Sequence, residues 1–262
     1  MKQYNKYIYI LNKFFINKKL GQHFLIKNKI AKKIVDSLSF KNYNTVLEVG
    51  PGLGILTKYL LKKPNLFIIE IDKRLVDFLK KKYYNIKKKI IHKDFLKWDP
   101  EDFSLKNFAI IGNFPYNISS KILFHILKYE QYIPECIGMF SKEVVKKITS
   151  KEGNKKYGIS SILVQSFYNI KYLFTVKKNV FYPVPKVESS VISLTRNNNV
   201  FSSYKKKLLF NFVKTAFNKR RKKLKNSLKL YKNTNILNFN KNNFLDKRAE
   251  ELSVKEFNQL VK

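Results

Sequence analysis

Ile30, Ile34 and Leu38 recur at four-residue intervals, and that spacing predicts an amphipathic helix over residues 27–39. The pattern then changes. Thr45-Val46-Leu47-Glu48-Val49 reads as a buried strand, stopped by Gly50-Pro51-Gly52-Leu53-Gly54. A helical stretch is expected to run on to about Lys63, where Pro64-Asn65 breaks it. Leu66-Phe67-Ile68-Ile69-Glu70 reads as a second strand and residues 73–82 as a helix. Lys89-Ile90-Ile91 and Phe108-Ala109-Ile110-Ile111 are the third and fourth strands, residues 119–128 a helix, and Cys136-Ile137-Gly138-Met139-Phe140 the fifth strand. Further strands are expected near 170–176 and 188–195. Regular alternation of strand and helix implies an α/β fold, a parallel sheet covered on both faces.

Arg196-Asn197-Asn198-Asn199 is a polar break. Behind it the pattern shows no clear strands, and residues 203–217, 219–230 and 253–261 read as helices. The chain of 262 residues is therefore divided into a basic arm (1–20), an α/β domain (21–196) and a small all-helical domain (197–262). Its longest apolar runs fall far short of the ~18–20 residues a bilayer span needs, which excludes an integral membrane protein. Cys136 is the single cysteine, so no internal disulfide forms, and a reducing, cytoplasmic setting is expected. His23, His92 and His125 lie far apart and match no zinc spacing, and no metal site is expected.

Charge changes the picture. Fifty-four basic residues against 18 acidic give a net +36, a field that favours a polyanion, above all nucleic acid. Lys, Asn, Ile, Phe and Tyr share A/T-rich codons, so distribution tells more than the total. No Asp or Glu precedes Asp36, and none falls between Glu188 and Asp246. The second acid-free stretch holds Lys219-Arg220-Arg221-Lys222-Lys223, where two of the five arginines are adjacent. Arginine grips phosphate through a planar fork that lysine lacks, so this segment is a better nucleic-acid candidate than an arbitrary lysine run. Met1 to Phe15 is basic and aromatic, without Arg or Ser and interrupted by Lys6 and Lys13. That composition fits neither a transit peptide nor a secretory signal, and it reads as a basic arm extending towards RNA, or else as a frayed terminus.

Chemistry concentrates at the ends of the early strands. Gly50, Gly52 and Gly54 follow the first strand directly, where glycine lets the backbone turn sharply and approach a ligand. Glu70 ends the second strand, 20 residues after Gly50, in the place from which a carboxylate accepts hydrogen bonds from ribose hydroxyls. The dinucleotide fingerprint wants a further glycine at position 55, which is Ile55. The loop suits S-adenosylmethionine, which carries no phosphate. Asp94, after the third strand, is placed to accept from the adenine amine of that cofactor, or else to cap a turn.

Asn113-Phe114-Pro115-Tyr116 ends the fourth strand. It fits methylation of an exocyclic aromatic amine, whose lone pair is delocalised into the ring and weakly nucleophilic. The Asn113 side-chain carbonyl and the Pro115 main-chain carbonyl can each accept one amine hydrogen, drawing the nitrogen towards tetrahedral geometry. Proline stiffens the loop, and Tyr116 offers a face for a base taken out of its stack.

With these residues in view, the chain resembles the small-subunit rRNA adenine dimethyltransferases, the KsgA family, over residues 18–262. The resemblance rests on Leu20-Gly21-Gln22-His23-Phe24-Leu25, Glu48-Val49-Gly50-Pro51-Gly52-Leu53-Gly54, Ile69-Glu70-Ile71-Asp72 and Gly112-Asn113-Phe114-Pro115-Tyr116-Asn117. It continues through Tyr157-Gly158, Phe181 to Ser189, Phe217 to Lys222 with Asn226-Ser227-Leu228, and Arg248 to Ser253. The last two blocks resemble this family rather than the macrolide-resistance methyltransferases of large-subunit rRNA.

The resemblance implies a Rossmann-like class I S-adenosylmethionine-dependent methyltransferase domain with a helical C-terminal domain. It implies two successive transfers to N6 of each of two adjacent adenosines near the 3′ end of small-subunit rRNA, on the small ribosomal subunit or its precursor. It places His23, Leu25, Gly50, Glu70, Asp94 and Asn113 on the cofactor, beside Gly52 of the glycine loop. Position 23 is often Asn in the family, and the usual Leu of the tetrapeptide is Phe114 here. Taken alone, Phe181 reads as a core aromatic; the resemblance makes it the ring stacking on the target base opposite Tyr116. The arm and Lys219–Lys225 would then meet rRNA phosphates, with the enzyme expected to be a monomer. A competing reading is a ribosome-assembly factor that has kept the fold without catalysis, which the intact Asn113–Tyr116 segment and Glu70 argue against.

Overall fold

The computed structural model describes residues 16–17, 20–63, 65–199, 201–228 and 243–261. Most of the basic arm, Pro64 of the expected break and the end of the helix expected over 219–230 lie outside these residues.

Five strands pair in parallel: β2 (Thr45–Val49), β3 (Leu66–Glu70), β4 (Ile90–His92), β5 (Phe108–Asn113) and β6 (Glu135–Ser141). With β7 (Tyr168–Val176) and β9 (Ser189–Arg196) they form one seven-stranded sheet in the order β4-β3-β2-β5-β6-β9-β7, and β9 runs antiparallel to β6. A separate two-stranded ribbon pairs β1 (Phe24–Leu25) with β8 (Phe181–Tyr182), Phe24 facing Tyr182 and Leu25 facing Phe181.

The central strand β2 is buried along its whole length, as a two-sided parallel strand must be. Alternate residues go to opposite faces. Val46, Ile68, Ala109 and Ile111 join one cluster with Ala31 and Ile34 of α1 (Asn28–Val35), Leu60 of α2 (Thr57–Leu60), and Val76 and Leu79 of α3 (Lys73–Lys82). Leu47, Phe108 and Ile110 are equally buried; the Trp98 ring meets Phe108 edge-on at 5.6 Å. Ile122, Leu123 and Ile126 of α4 (Ser119–Lys128) are buried too. The register sets Val49 beside Ile69 and Glu48 beside Ile111. The carboxyl ends of β2, β3 and β5 therefore share one edge. The chain leaves β2 towards β3 and β4, then returns to β5 on its other side, and the crevice at that reversal is where doubly wound sheets bind ligands.

Local differences from the sequence reading have physical causes. Helix α1 stops at Val35 rather than 39, because the chain turns there and reaches left-handed geometry at Phe40 (φ 55°) and Asn42 (φ 64°). After the glycines only Thr57–Leu60 is helical, since the left-handed turn consumes the residues before it. Helix α3 begins where expected, with the Asp72 side chain accepting from the Arg74 amide at 3.1 Å. Helices α5 (Lys142–Ile148) and α6 (Ile159–Phe167) were not anticipated.

The chain divides into two compact units, residues 1–142 with 170–196 and residues 143–169 with 197–262. Residues 143–169, inside the α/β domain expected over 21–196, cluster with the C-terminal segment. In the second unit α6 packs with α7 (Ser203–Asn218) and α9 (Val254–Leu260). Phe212 meets Phe257 at 5.8 Å, Ser166 Oγ donates to Asn258 Oδ1 at 2.8 Å, and Tyr157 Oη donates to the Leu252 carbonyl at 2.9 Å. The helix expected over 219–230 shrinks to α8 (Leu224–Ser227), because residues 219–222 form a turn and Lys223 bridges to Arg248. Among the described residues no helix is long and apolar enough to cross a membrane.

Candidate active site

The crevice at the carboxyl edge opens into a cavity of about 350 Å³. His23, Leu25, Gly50, Gly52, Glu70, Asp94, Asn113, Pro115 and Tyr116 all line it. Strand ends bring these residues together from distant parts of the sequence.

The glycine turn forms one wall. Gly50 and Gly52 adopt φ of 65° and 59°, a region L side chains rarely enter. A Cβ on Gly52 would lie 2.9 Å from the Phe24 ring, whereas a Cβ on Gly50 would meet nothing within 4 Å. Gly50 therefore faces open cavity space.

Glu70 is held beneath this turn. Its Oε1 accepts from the amides of Ile71 (2.9 Å) and Asp72 (3.0 Å), and its Oε2 from the amide of Gly52 (3.3 Å). Three donors favour the carboxylate, yet burial outweighs them and pushes the pKa up to about 6. Asp94 caps the short turn at 95–97, its Oδ1 accepting from the Leu96 amide at 2.9 Å. The capping role and a place on the cavity wall thus coincide in one side chain.

Asn113 ends β5, and its Nδ2 donates to the main-chain carbonyl of His23 at 2.8 Å. That neighbour fixes the amide: the NH₂ faces His23, and Oδ1 is the end left to accept. The Pro115 carbonyl accepts from Ser119 Oγ (3.0 Å) and the Ile118 amide (3.3 Å). The Tyr116 hydroxyl pairs with Ser189 Oγ at 2.5 Å, and burial raises its pKa.

Phe181 is 1% exposed, pairs with Leu25 and packs with the main core cluster. Arg220, partly exposed, has three partners in the protein. Its Nε donates to Glu250 Oε2 at 2.5 Å, Nη1 to the Lys155 carbonyl at 3.0 Å and Nη2 to the Asn154 carbonyl at 3.3 Å. Three of its nitrogens thus have partners in the protein. Lys223 pairs with Asp246 at 3.3 Å, while Lys219, Arg221 and Lys222 are exposed.

Sequence reasoning passed over Glu48, Ser119 and Ser189. Glu48 lines the cavity from within β2 and is fully buried. Thr57 Oγ1 donates to its Oε2 at 2.6 Å, and Oε1 has no protein partner. Burial pushes its pKa up to about 8, so it is largely protonated at neutral pH. The available signal was an acid inside an otherwise apolar strand.

A parallel sheet switch point, a left-handed glycine turn, an acid on the next strand and an Asn-Phe-Pro-Tyr end to β5 define a class I S-adenosylmethionine-dependent methyltransferase. The comparisons narrow this. The ribosomal RNA adenine dimethylase family matches residues 13–262. A ribosomal RNA small subunit methyltransferase A from Flavobacterium johnsoniae is 51% identical over 249 residues, covering 94% of this chain and 95% of that protein. Its counterpart from Cytophaga hutchinsonii is 49% identical over 255 residues, covering 96% and 98%. A dimethyladenosine transferase from Plasmodium falciparum shares the fold, with a TM-score of 0.74 at 24% identity over 90% of this chain and 95% of that one. The chain belongs to the ribosomal RNA adenine dimethylase family.

Glu48 yields a signed prediction. Its folded pKa of about 8 exceeds the ordinary 4.5, so the cost of burying it charged develops as pH rises from about 4.5 and is complete above 8. Glu48→Gln is therefore expected to melt a few degrees above the wild type near pH 9, with the gap closing towards about pH 5. A gap independent of pH across that range would contradict a buried acid.

Proposed function

We propose that this enzyme transfers two methyl groups to N6 of each of two adjacent adenosines near the 3′ end of small-subunit rRNA. The substrate is the small ribosomal subunit or its precursor, and the setting is cytoplasmic. The observation that carries the reading is the Asn113 amide, fixed by His23 so that an acceptor oxygen remains at the cavity's edge. Family membership and the two close relatives, both small-subunit enzymes by name, support the choice of RNA.

The residues present fit S-adenosylmethionine. Glu70 lies under the turn to receive ribose hydroxyls, Asp94 stands where an adenine amine can be read, and Gly50 leaves room that a side chain would fill. When bound, the cofactor supplies an electrophilic methyl group on a sulfonium. The chain's part is positioning and charge placement. Asn113 Oδ1 and the Pro115 carbonyl each accept one hydrogen of the target amine, which localises the nitrogen lone pair and points it into the cavity. The Ser119 hydroxyl turns about a single bond, and it is the donor at Pro115 that yields to the incoming amine. Tyr116, anchored through Ser189, offers its face to the flipped base. Alkylation makes the amine acidic, so its surplus proton leaves without a dedicated base. Lys219, Arg221 and Lys222 meet rRNA phosphates and position the enzyme.

The direct test is primer extension on unmethylated small-subunit rRNA treated with enzyme and S-adenosylmethionine. Two adjacent stops near the 3′ end are expected, and Asn113→Ala should lower the transfer rate about 100-fold or more while the fold is retained. Turnover of that variant within threefold of the wild type would reject the amine geometry. Ribose hydroxyls favour ionised Glu70, so cofactor affinity should be highest above pH 6 and fall as pH drops through about 6. Titration calorimetry with S-adenosylhomocysteine reads this directly; a pH-independent Kd between about pH 5 and 8 would remove Glu70 from the ribose. For the RNA face, Arg221→Ala and Lys222→Ala are each expected to reduce the log–log salt slope of RNA binding by about 0.7–0.9. Arg220→Ala should instead lower stability by about 1–3 kcal/mol, and an unchanged slope in the first two variants would leave them off the RNA path.

A further inference from the structure

A base drawn into the cavity leaves its sugar and phosphate at the rim. The chemistry of the rim belongs to those lining residues that face solvent. Among the residues lining the cavity, Gly50, Ile71, Asn117 and Lys121 are the exposed ones. Gly50 has no side chain and Ile71 is apolar. Asn117 and Lys121 are the polar pair, and they follow Tyr116 by one residue and by five.

Neither side chain is spent inside the protein. Asn117 lies in the short turn Tyr116–Ile118. Its carboxamide rests against the α-carbon of Gly21, where a Cβ would come within 2.7 Å of Asn117 Oδ1. Glycine at 21 thus leaves room for an amide that has no hydrogen-bond partner among the described residues. Lys121 is the third residue of α4, and it too has no ion pair or hydrogen bond among the described residues. The other lysine on the wall, Lys93, is committed to Asp102 at 2.8 Å. A cation in the first turn of a helix opposes the macrodipole, so Lys121 does not serve the helix that carries it.

The cofactor offers Lys121 no counter-charge here. One turn further along α4, on the same face, His125 meets Phe95 edge-on at 4.7 Å. Lys121 therefore reaches the cavity beside the Asp94–Leu96 wall, where the adenine expected of the cofactor is uncharged. The anion left to meet it is an RNA phosphate. A ribose 2′-hydroxyl is donor and acceptor at once, and a carboxamide matches it in both senses.

We propose that Asn117 and Lys121 form the backbone subsite of the target nucleotide: the Asn117 carboxamide binds its ribose 2′-hydroxyl and the Lys121 ammonium pairs with its phosphate. Asn117 thereby selects RNA over DNA at the reacting nucleotide itself. This rests on the reading that Tyr116 and Asn113 hold a flipped adenine.

The test uses unmethylated small subunits rebuilt with rRNA whose 3′ segment is ligated on, carrying either ribose or 2′-deoxyribose at the two target adenosines. The wild type is expected to prefer ribose by about fivefold in kcat/KM, in line with one hydrogen bond. In Asn117→Ala that preference should fall below about twofold. Lys121→Ala is expected to raise KM for the subunit about fivefold, to place the loss on KM rather than kcat, and to flatten the log–log salt slope of RNA binding by about 0.7–0.9; Lys121→Arg should restore both. The Kd for S-adenosylhomocysteine should stay within about twofold in every variant. An undiminished ribose preference in Asn117→Ala overturns the proposal, as does an unchanged slope in Lys121→Ala, or a loss matched by weaker S-adenosylhomocysteine binding, which would put the pair on the cofactor. Asn113→Ala runs alongside: if it stays active, the underlying reading fails; if it alone loses activity, only the backbone subsite fails.

Discussion

The site turns on a single hydrogen bond between a side-chain amide and a main-chain carbonyl. An asparagine has one donating end and one accepting end, and the Asn113–His23 contact settles which end is left to face the cavity. Everything needed for that contact is imposed from elsewhere. β5 delivers Asn113 to the sheet edge through its pairing with β2 and β6. The ribbon of β1 with β8 carries the chain just after His23, and the imidazole reaches across to Pro183, 160 residues away in sequence. Chemistry at β5 therefore depends on two remote segments meeting beside it.

Electrostatics around the cavity run against the overall charge. In a chain of net +36, the cavity wall is built round two buried acids. They are not equivalent. Burial raises the pKa of Glu48, with one oxygen unpartnered, to about 8, and that of Glu70, with three amide donors, only to about 6. Environment alone separates them: the residue with three amide donors keeps its charge available, and the one with an unpartnered oxygen gives it up.

Much of this was legible in the residues. Strands and helices of the parallel half follow from apolar runs punctuated by glycine and proline, and the glycine turn, Glu70, Asp94 and Asn113 all fall at strand ends. What escaped was set by tertiary context. β1 and β8 are two residues each, too short for any period to register, yet they pair Phe181 with Leu25. Arg220 gives no sign of its partners in sequence, because Glu250 and the carbonyls of Asn154 and Lys155 lie 30 to 66 residues away. Residues 143–169 read as part of the first domain because contiguity in sequence hides the chain's return. Glu48 needed only to be taken seriously as an acid inside an apolar strand.

The arginines carry a consequence for how such a sequence drifts. Arg74 grips Asp72 through two nitrogens, Arg196 reaches the carbonyls of Glu130 and Gln131, and Arg220 serves three acceptors at once. An ammonium cannot reproduce a planar fork with several fixed directions. Where nucleotide bias steadily converts one basic codon into the other, replacement is cheap on open surfaces and costly at these three positions. Three of the five rare survivors in a lysine-dominated chain thus serve as joints of the scaffold.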